Sequence, residues 1–382
     1  MMASDVIAAA SFGIWLYLLF GRGGFWREGV LPPAPTPERW PSVIAVVPAR
    51  NEAEFVGEAL RSLLGQDYPG EFSVILVDDH SVDRTAQCAR EAALTLGVSE
   101  RLEIIHARSL PPGWTGKLWA LNEGLEEIGR RTEKPELILL ADADIVHHAE
   151  NLRELAARIE TGVDLASLMV RLRAETFAER FMIPAFVFFF EMLYPFSWIR
   201  DPMKRTAGAA GGCVLVRREV LRRIGGIQAI RGEIIDDCAL GRAAKQGGPI
   251  WLGLSGKTRS LRPYPALGDI WRMVARTAYA QLGYSPSVVA ATVLGLAVAF
   301  VAPVAVSLSG TESATLGVAA WAAMSFAFLP TLRLYDRSPV WAPLLPMIAI
   351  IYMGATVDSA RRHWLGKGAE WKGRIQQPSR AG

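Results

Sequence analysis

Hydrophobic positions along this chain fall into two contrasting patterns. Val43 to Val47 (VIAVV), Val74 to Val77 (VILV), Leu102 to Ile105 and Leu137 to Leu140 (LILL) are short apolar runs that end abruptly in polar residues. Such runs, bounded by turn-forming residues, predict strands buried on both faces. Between them, Glu52 to Leu64, Arg84 to Leu96 and Lys117 to Ile128 repeat apolar residues at helical spacing. Alternating strands and helices predict an α/β domain built on a doubly wound, mostly parallel sheet with helices on both faces. In such sheets ligands bind beyond the carboxyl ends of the strands.

The second pattern is longer. Val6 to Phe20 carries no charge, with Asp5 before it and Arg22 and Arg27 after it. Those flanks predict an uncleaved anchor with its outgoing end in the cytoplasm, rather than a secretory signal. Val288 to Leu308, Thr315 to Leu332 and Val340 to Val357 are each close to the ~20 residues that cross a bilayer. Arg361, Arg362, Lys367, Lys372 and Arg374 follow the last. With a cytoplasmic middle region, three full spans would put that basic tail outside, against the usual bias. A re-entrant third segment would keep it inside. Phe181 to Ile199 is also apolar but includes Glu191, Pro184 and Pro195, which suits an interfacial or buried helix. The expected organisation is an anchor over 1–21, a catalytic domain over 40–287 including the apolar segment 181–199, membrane helices over 288–357 and a basic tail over 358–382.

Composition narrows the function. The 382 residues are 51% hydrophobic and the formal net charge is +3, so intrinsic disorder and a basic nucleic-acid-binding field are both excluded. Cys88, Cys213 and Cys238 show no paired spacing, which argues against a disulfide framework or a structural zinc site. No GxGxxG follows the first strand, which disfavours a dinucleotide cofactor.

Acidic residues collect where the strands end. Asp142 and Asp144 (ADAD) follow the fourth strand two residues apart, so in extended backbone both face one way. Such a pair can hold Mg²⁺ or Mn²⁺ with phosphate oxygens completing the coordination; the alternative is a helix cap. Asp78 and Asp79 end the second strand, and Asp83 suits the cap of the next helix. Lys117 opens a helix, where an ammonium and the helix N-terminus together can meet a phosphate. Asp236 and Asp237 lie among Ile234, Ile235, Cys238 and Leu240, a setting that desolvates a carboxylate and suits a general base. Asp237 is the candidate base, and Asp236 serves equally as cap or functional acid. Arg272 and Arg276, four residues apart on a helix, could clamp a diphosphate or meet lipid head groups.

VVPARNEA (46–53), VDDHSVDRT (77–85), GKLWALNEG (116–124), ADAD (141–144) and IIDDCALG (234–241, within EIIDDCALG) occur in an order that resembles an inverting family-2 glycosyltransferase. The anchor, the C-terminal apolar stretches and Trp371-Lys372-Gly373-Arg374 are similar to its hopene-associated branch. The resemblance implies a GT-A fold and a nucleotide-sugar donor, commonly UDP-linked. It places Pro48, Arg50, Glu52 and Asp79 around the nucleoside, Lys117 and Asp142 near the diphosphate and sugar, and Asp144 on the metal. It makes Asp237 the base, beside Asp236. The Gln-x-x-Arg-Trp motif of processive members is reduced here to Arg276 in Met273-Val274-Ala275-Arg276-Thr277. The expectation is therefore a membrane-bound enzyme of the bacterial inner membrane, acting from the cytoplasmic face. It would pass a sugar with inversion to a lipid acceptor of hopanoid type. Transfer to polyprenyl phosphate or a polysaccharide, or an inactive membrane scaffold, are the alternatives.

Overall fold

The computed structural model describes residues 3–366, 368–371 and 374–376. Lys367, Lys372 and Gly373, part of the expected basic tail and of the closing motif, lie outside the described residues. The chain divides into two compact units, one of Val30–Leu172, Trp198–Arg262 and Glu370–Gly382, the other of Met1–Gly29, Arg173–Ser197 and Pro263–Ala369.

The first unit is organised by an eight-stranded sheet. In chain order its strands are β1 (Val43–Ala49), β2 (Phe72–Asp78), β3 (Leu102–His106), β4 (Leu137–Ala141), β5 (Ile145–Val146), β6 (Leu165–Arg171), β7 (Cys213–Arg217) and β8 (Ile250–Ser260). Their spatial order is β3-β2-β1-β4-β7-β6-β8-β5. Strands β1 to β4 pair in parallel, as their apolar runs predict. Every residue of β1 and β4 is buried, as a strand covered on both faces must be. Strand β7 runs antiparallel to both β4 and β6, and β5 antiparallel to β8, so the sheet is mixed.

Alternation along β1 sends its side chains to two faces. Val43, Ala45, Val47 and Ala49 share a core with Val56, Leu60 and Leu63 of the helix Val56–Leu64 and with Ala89, Ala92 and Ala93 of the helix Thr85–Leu96. Val46, on the other face, meets the helix Gly116–Arg130 so closely that a Cβ on Gly124 would stand 2.4 Å from its Cγ1.

Register then decides what meets at the carboxyl ends. Ala49 pairs with Asp78, and Asp78 with His106, so these three strands stop level. Val46 pairs with Leu140, which puts Asp142 beside Pro48. Ala141 pairs with Cys213, so Gly211 and Gly212, at the entry to β7, reach the same edge, and the Asp142 amide donates to Gly212 O at 3.3 Å. Ile145 pairs with Ser260, which brings the end of β8 to Asp144.

The second unit holds the apolar helices. Among the described residues, four are long and apolar enough to cross a membrane: Ser4–Gly21, Pro286–Ser307, Ala314–Leu334 and Pro339–Trp364. The last begins as a 3-10 turn over Pro339–Leu344 and continues as an α-helix over Leu345–Trp364. The apolar segment expected over 181–199 forms the helix Phe177–Leu193, opened by a Thr176/Glu179 capping box and continuing through Pro184. Residues 173–197 and 263–287 were expected within the continuous catalytic stretch 40–287, yet by contact they belong to this second unit. Polar groups tie its helices: Trp15 Nε1 donates to Ala299 O at 2.6 Å, Tyr352 OH to Met182 O at 3.1 Å and Trp271 Nε1 to Asp358 Oδ2 at 2.9 Å. Arg22, one of the basic residues flanking the anchor, donates from Nε to Met192 O at 3.1 Å.

Candidate active site

A cleft opens at the carboxyl edge of the sheet, lined by Pro48, Lys117, Asp142, Gly211, Asp236 and Asp237 among others. Its polar centre is Lys117. Thr115 caps the helix Gly116–Arg130 by accepting from Leu118 N, and this start aims the Lys117 side chain inward. Lys117 Nζ lies 2.9 Å from Asp142 Oδ1 and 3.2 Å from Asp236 Oδ2. The three side chains are only 18%, 33% and 22% exposed. Burial opposes the lysine charge, but Asp142, Asp236 and Asp237 outweigh it and raise its pKa well above the ordinary range. Lys117 is thus a fixed positive charge within an acidic cleft.

Asp237 stands next to it under different constraints. Its Oδ2 accepts from Gly211 N at 2.8 Å and its Oδ1 from Cys238 N at 2.7 Å. A Cβ at position 211 would stand 3.2 Å from Asp237 Oδ2 and 3.3 Å from Lys117 Nζ, so only glycine leaves both side chains where they are. Burial and the neighbouring Asp236 push the Asp237 carboxyl up to about 6, against the pull of Lys117 and the two amides. Burial likewise raises Asp142, with Asp144 and Asp236 adding to it and Lys117 opposing. Asp236 does not cap the helix Asp236–Lys245, whose N-cap position is Ile235 with no side-chain hydrogen bond; its carboxylate serves Lys117.

The nucleoside candidates sit at the ends of β1 and β2. Arg50 Nη1 donates to Asp79 O at 2.6 Å, and Asp79 is fully buried. Asp83 joins two loops, accepting from Ala53 N at 3.1 Å and from Thr85 N at 3.0 Å. The N-cap position of the helix Thr85–Leu96 is Arg84, with no side-chain cap, so the cap expected of Asp83 is not formed; its carboxylate instead sits one residue earlier and ties the two loops together. Asn51 and His80 adopt φ of 52° and 54° beside these residues, a region that Asn and His enter more readily than most. Glu123, in the GKLWALNEG stretch, accepts from Arg108 Nε at 3.0 Å and fastens the loop before the Lys117 helix.

Asp144 is held by residues with no counterpart among the sequence candidates. Ser260 Oγ donates to its Oδ2 at 3.1 Å and Arg262 Nε to the same oxygen at 3.0 Å, while Arg262 Nη2 reaches Glu52 Oε1 at 2.7 Å. The available signal was an arginine just beyond a strand end, but β8, interrupted by Gly253 and Gly256, does not read as a strand. Gly211 was equally unmarked. Arg276 and Arg272 are carried on the helix Leu267–Gln281 of the other unit, both exposed, with Arg272 paired to Asp269.

Oxygen donors from Asp142 and Asp144 suit a hard divalent cation that takes one or two carboxylates and completes its shell with phosphate. Among the described residues no three His, Cys, Asp or Glu side chains form a self-sufficient metal site. Both candidate carboxylates already carry a cationic partner, Lys117 on Asp142 and Arg262 on Asp144. The donor set fits a cation delivered with a diphosphate better than one held by protein alone.

Known proteins bear on this geometry. An N-acetylglucosaminyltransferase of Mesorhizobium japonicum is 27% identical over 205 residues, covering 49% of this chain and 42% of its own. An undecaprenyl-phosphate 4-deoxy-4-formamido-L-arabinose transferase of Shewanella sediminis is 29% identical over 187 residues, 47% of this chain and 49% of its own. The chain thus spans about half the length of these relatives. Among solved structures, the mannosyltransferase PcManGT of Pyrobaculum calidifontis, determined with GDP-Man and Mn²⁺, superposes with a TM-score of 0.57 at 22% identity, covering 93% of this chain and 98% of the other. The family model described as glycosyltransferase like family 2 matches residues 41–278, more than half of the chain. With its mixed, mostly parallel sheet and the acidic cleft at the carboxyl edge, the chain belongs to glycosyltransferase family 2 and has the GT-A fold of nucleotide-diphospho-sugar transferases.

Proposed function

We propose that this protein transfers a sugar from a nucleotide-sugar donor to the hydroxyl of a membrane lipid, with inversion at the anomeric carbon. The observation that carries this reading is the side-by-side placement of Lys117 and Asp237 in one cleft. The ammonium and the N-terminus of its helix supply positive charge for a diphosphate. A carboxylate with a pKa near 6 is mostly ionised at neutral pH and still basic enough to take a hydroxyl proton. The acceptor oxygen then attacks the anomeric carbon from the face opposite the leaving group, its proton passes to Asp237, and the nucleoside diphosphate departs with the bonding pair. A divalent cation, Mg²⁺ or Mn²⁺, held by Asp144 would add charge stabilisation for that leaving group. Pro48, Arg50, Glu52 and Asp79 would surround the nucleoside. These groups all belong to one unit.

The four apolar helices support a lipid acceptor and a multi-pass membrane location; a cytoplasmic catalytic unit rests on Arg22 and Arg27 after the first apolar stretch. A hydroxylated polycyclic lipid of the hopanoid class fits the need for a base. A second reading is favoured by the undecaprenyl-phosphate transferases among the relatives. A polyprenyl phosphate brings an oxygen that is already ionised and requires no base, and it would meet repulsion from Asp236 and Asp237.

The test is nucleoside diphosphate release by the full chain in detergent with Mn²⁺, a panel of UDP- and GDP-sugars, and either hopanoid alcohol or polyprenyl phosphate. Release stimulated by the alcohol and lost in Asp237→Asn supports the first reading. Release stimulated by polyprenyl phosphate and retained in Asp237→Asn establishes the second. Nucleotide binding without release from any donor would mean a catalytically inactive protein.

A further inference from the structure

Asp144 and Glu52 are carboxylates with side chains only 10% and 7% exposed, far apart in the chain, and one guanidinium bridges them. Nearly buried carboxylates are costly unless compensated. Arg262 supplies that compensation with two charge-assisted hydrogen bonds, while its own side chain remains 29% exposed beside the ring of Phe55. Among the described residues, both hydrogen bonds to the Asp144 carboxylate fall on Oδ2. A cation approaching the remaining oxygen would share one carboxylate with a guanidinium, two positive charges within a few ångströms in a partly desolvated place, where repulsion is strong.

Resting on the metal-assisted reading above, we infer that Arg262 is an internal counter-ion that stands where the divalent cation's charge is needed. It keeps Asp144 from holding the cation until a nucleoside diphosphate arrives. With the diphosphate present, its negative charge offsets both cations, so metal and nucleotide enter as a pair. Arg262 acts here as a positioning residue, through Asp144. Its location at the exit of β8, with roughly a third of its surface reaching solvent, leaves the guanidinium room to swing away from Asp144 while staying on Glu52.

The test is direct Mn²⁺ binding to the full chain in detergent, read as loss of the free-Mn²⁺ electron paramagnetic resonance signal. It is done first without nucleotide, then with UDP or GDP. Without nucleotide, Arg262→Gln should bind Mn²⁺ roughly tenfold more tightly than the parent, the scale of one charge-assisted hydrogen bond removed from competition. With nucleoside diphosphate the difference should shrink. Arg262→Lys, whose ammonium can reach one carboxylate but not span both, should fall between and decides the matter if the glutamine variant does not fold. A purely structural ion pair would lower the melting temperature of these variants without raising Mn²⁺ affinity. Equal or weaker Mn²⁺ binding in the variants overturns the inference and leaves the glycosyl-transfer reading standing. No nucleotide-dependent Mn²⁺ binding by the parent protein overturns both the inference and the metal-assisted step it rests on.

Discussion

Lys117 Nζ sits 2.9 Å from Asp142 Oδ1, joining the first turn of a helix to the end of strand β4. The same ammonium reaches Asp236 on a third element, so one positive charge organises carboxylates contributed by two other parts of the chain. Removing a partner from a partly buried pair leaves uncompensated charge. Lys117→Gln should therefore lower stability by about 1–3 kcal/mol, less than for a fully buried pair because solvent screens the exposed part. Donor affinity should fall with it, as nucleotide titration followed by calorimetry would reveal.

Asp237→Asn removes the proton acceptor but keeps the oxygen that accepts from the Gly211 or Cys238 amide. Transfer to a lipid hydroxyl should drop by about 10²- to 10⁴-fold, the usual weight of a general base. Nucleotide affinity should stay within a few-fold. An unchanged turnover would remove Asp237 from the mechanism.

The raised pKa of Asp237 fixes the sign of the pH dependence. The base works only when ionised, so the rate should climb as pH rises through about 6 and level off above it. Asp236 contributes to that elevation by like-charge repulsion. Asp236→Asn should shift the acidic limb to lower pH, and Lys117→Gln should shift it higher, since the ammonium holds the carboxyl down. Stability runs the opposite way to activity for this group. A folded carboxyl raised above its unfolded value favours the native state while protonated, and that contribution is lost as pH rises from about 4 to 6. Profiles of log kcat/KM against pH for the three proteins, which report ionisations of the free enzyme, would show whether the limbs move in opposite directions.

Gly211→Ala places a methyl 3.2 Å from Asp237 Oδ2 and 3.3 Å from Lys117 Nζ. Both side chains must shift by a few tenths of an ångström. Misplaced reacting groups cost rate steeply, so kcat should fall about tenfold while the melting temperature changes little. A variant with full kcat would show that this spacing is slack.

Gly124→Ala tests the fold rather than the site. Its Cβ would lie 2.4 Å from Val46 Cγ1 and 3.1 Å from Val77 Cγ2, inside the packing of the Lys117 helix on β1 and β2. Overpacking of this kind costs about 1–3 kcal/mol, and thermal unfolding should report it. Because the same helix carries Lys117 at its start, donor binding should weaken in parallel.

Much of the molecule is written in consecutive residues. The four continuous apolar runs became β1 to β4 in parallel, the three helical spacings between them became helices, and the long uncharged stretches became helices able to span a bilayer. Strand ends carried the acids Asp79, Asp142 and Asp144, and Asp237 opened a helix, so the candidate chemistry was visible from local pattern and motif alone. Periodicity is a property of neighbours in sequence, which is why it was enough for these elements. What brings distant residues together is register and close packing, and those belong to the folded sheet. The antiparallel insertion of β7 beside β4 set Gly211 against Asp237, and the β5–β8 pairing carried Ser260 and Arg262 to Asp144, more than a hundred residues away. Whether Asp236 caps a helix or answers a lysine, and which cation stands beside Asp144, were decided only there. Charge in a nearly dry cleft is settled by whichever opposite charge the fold delivers to it.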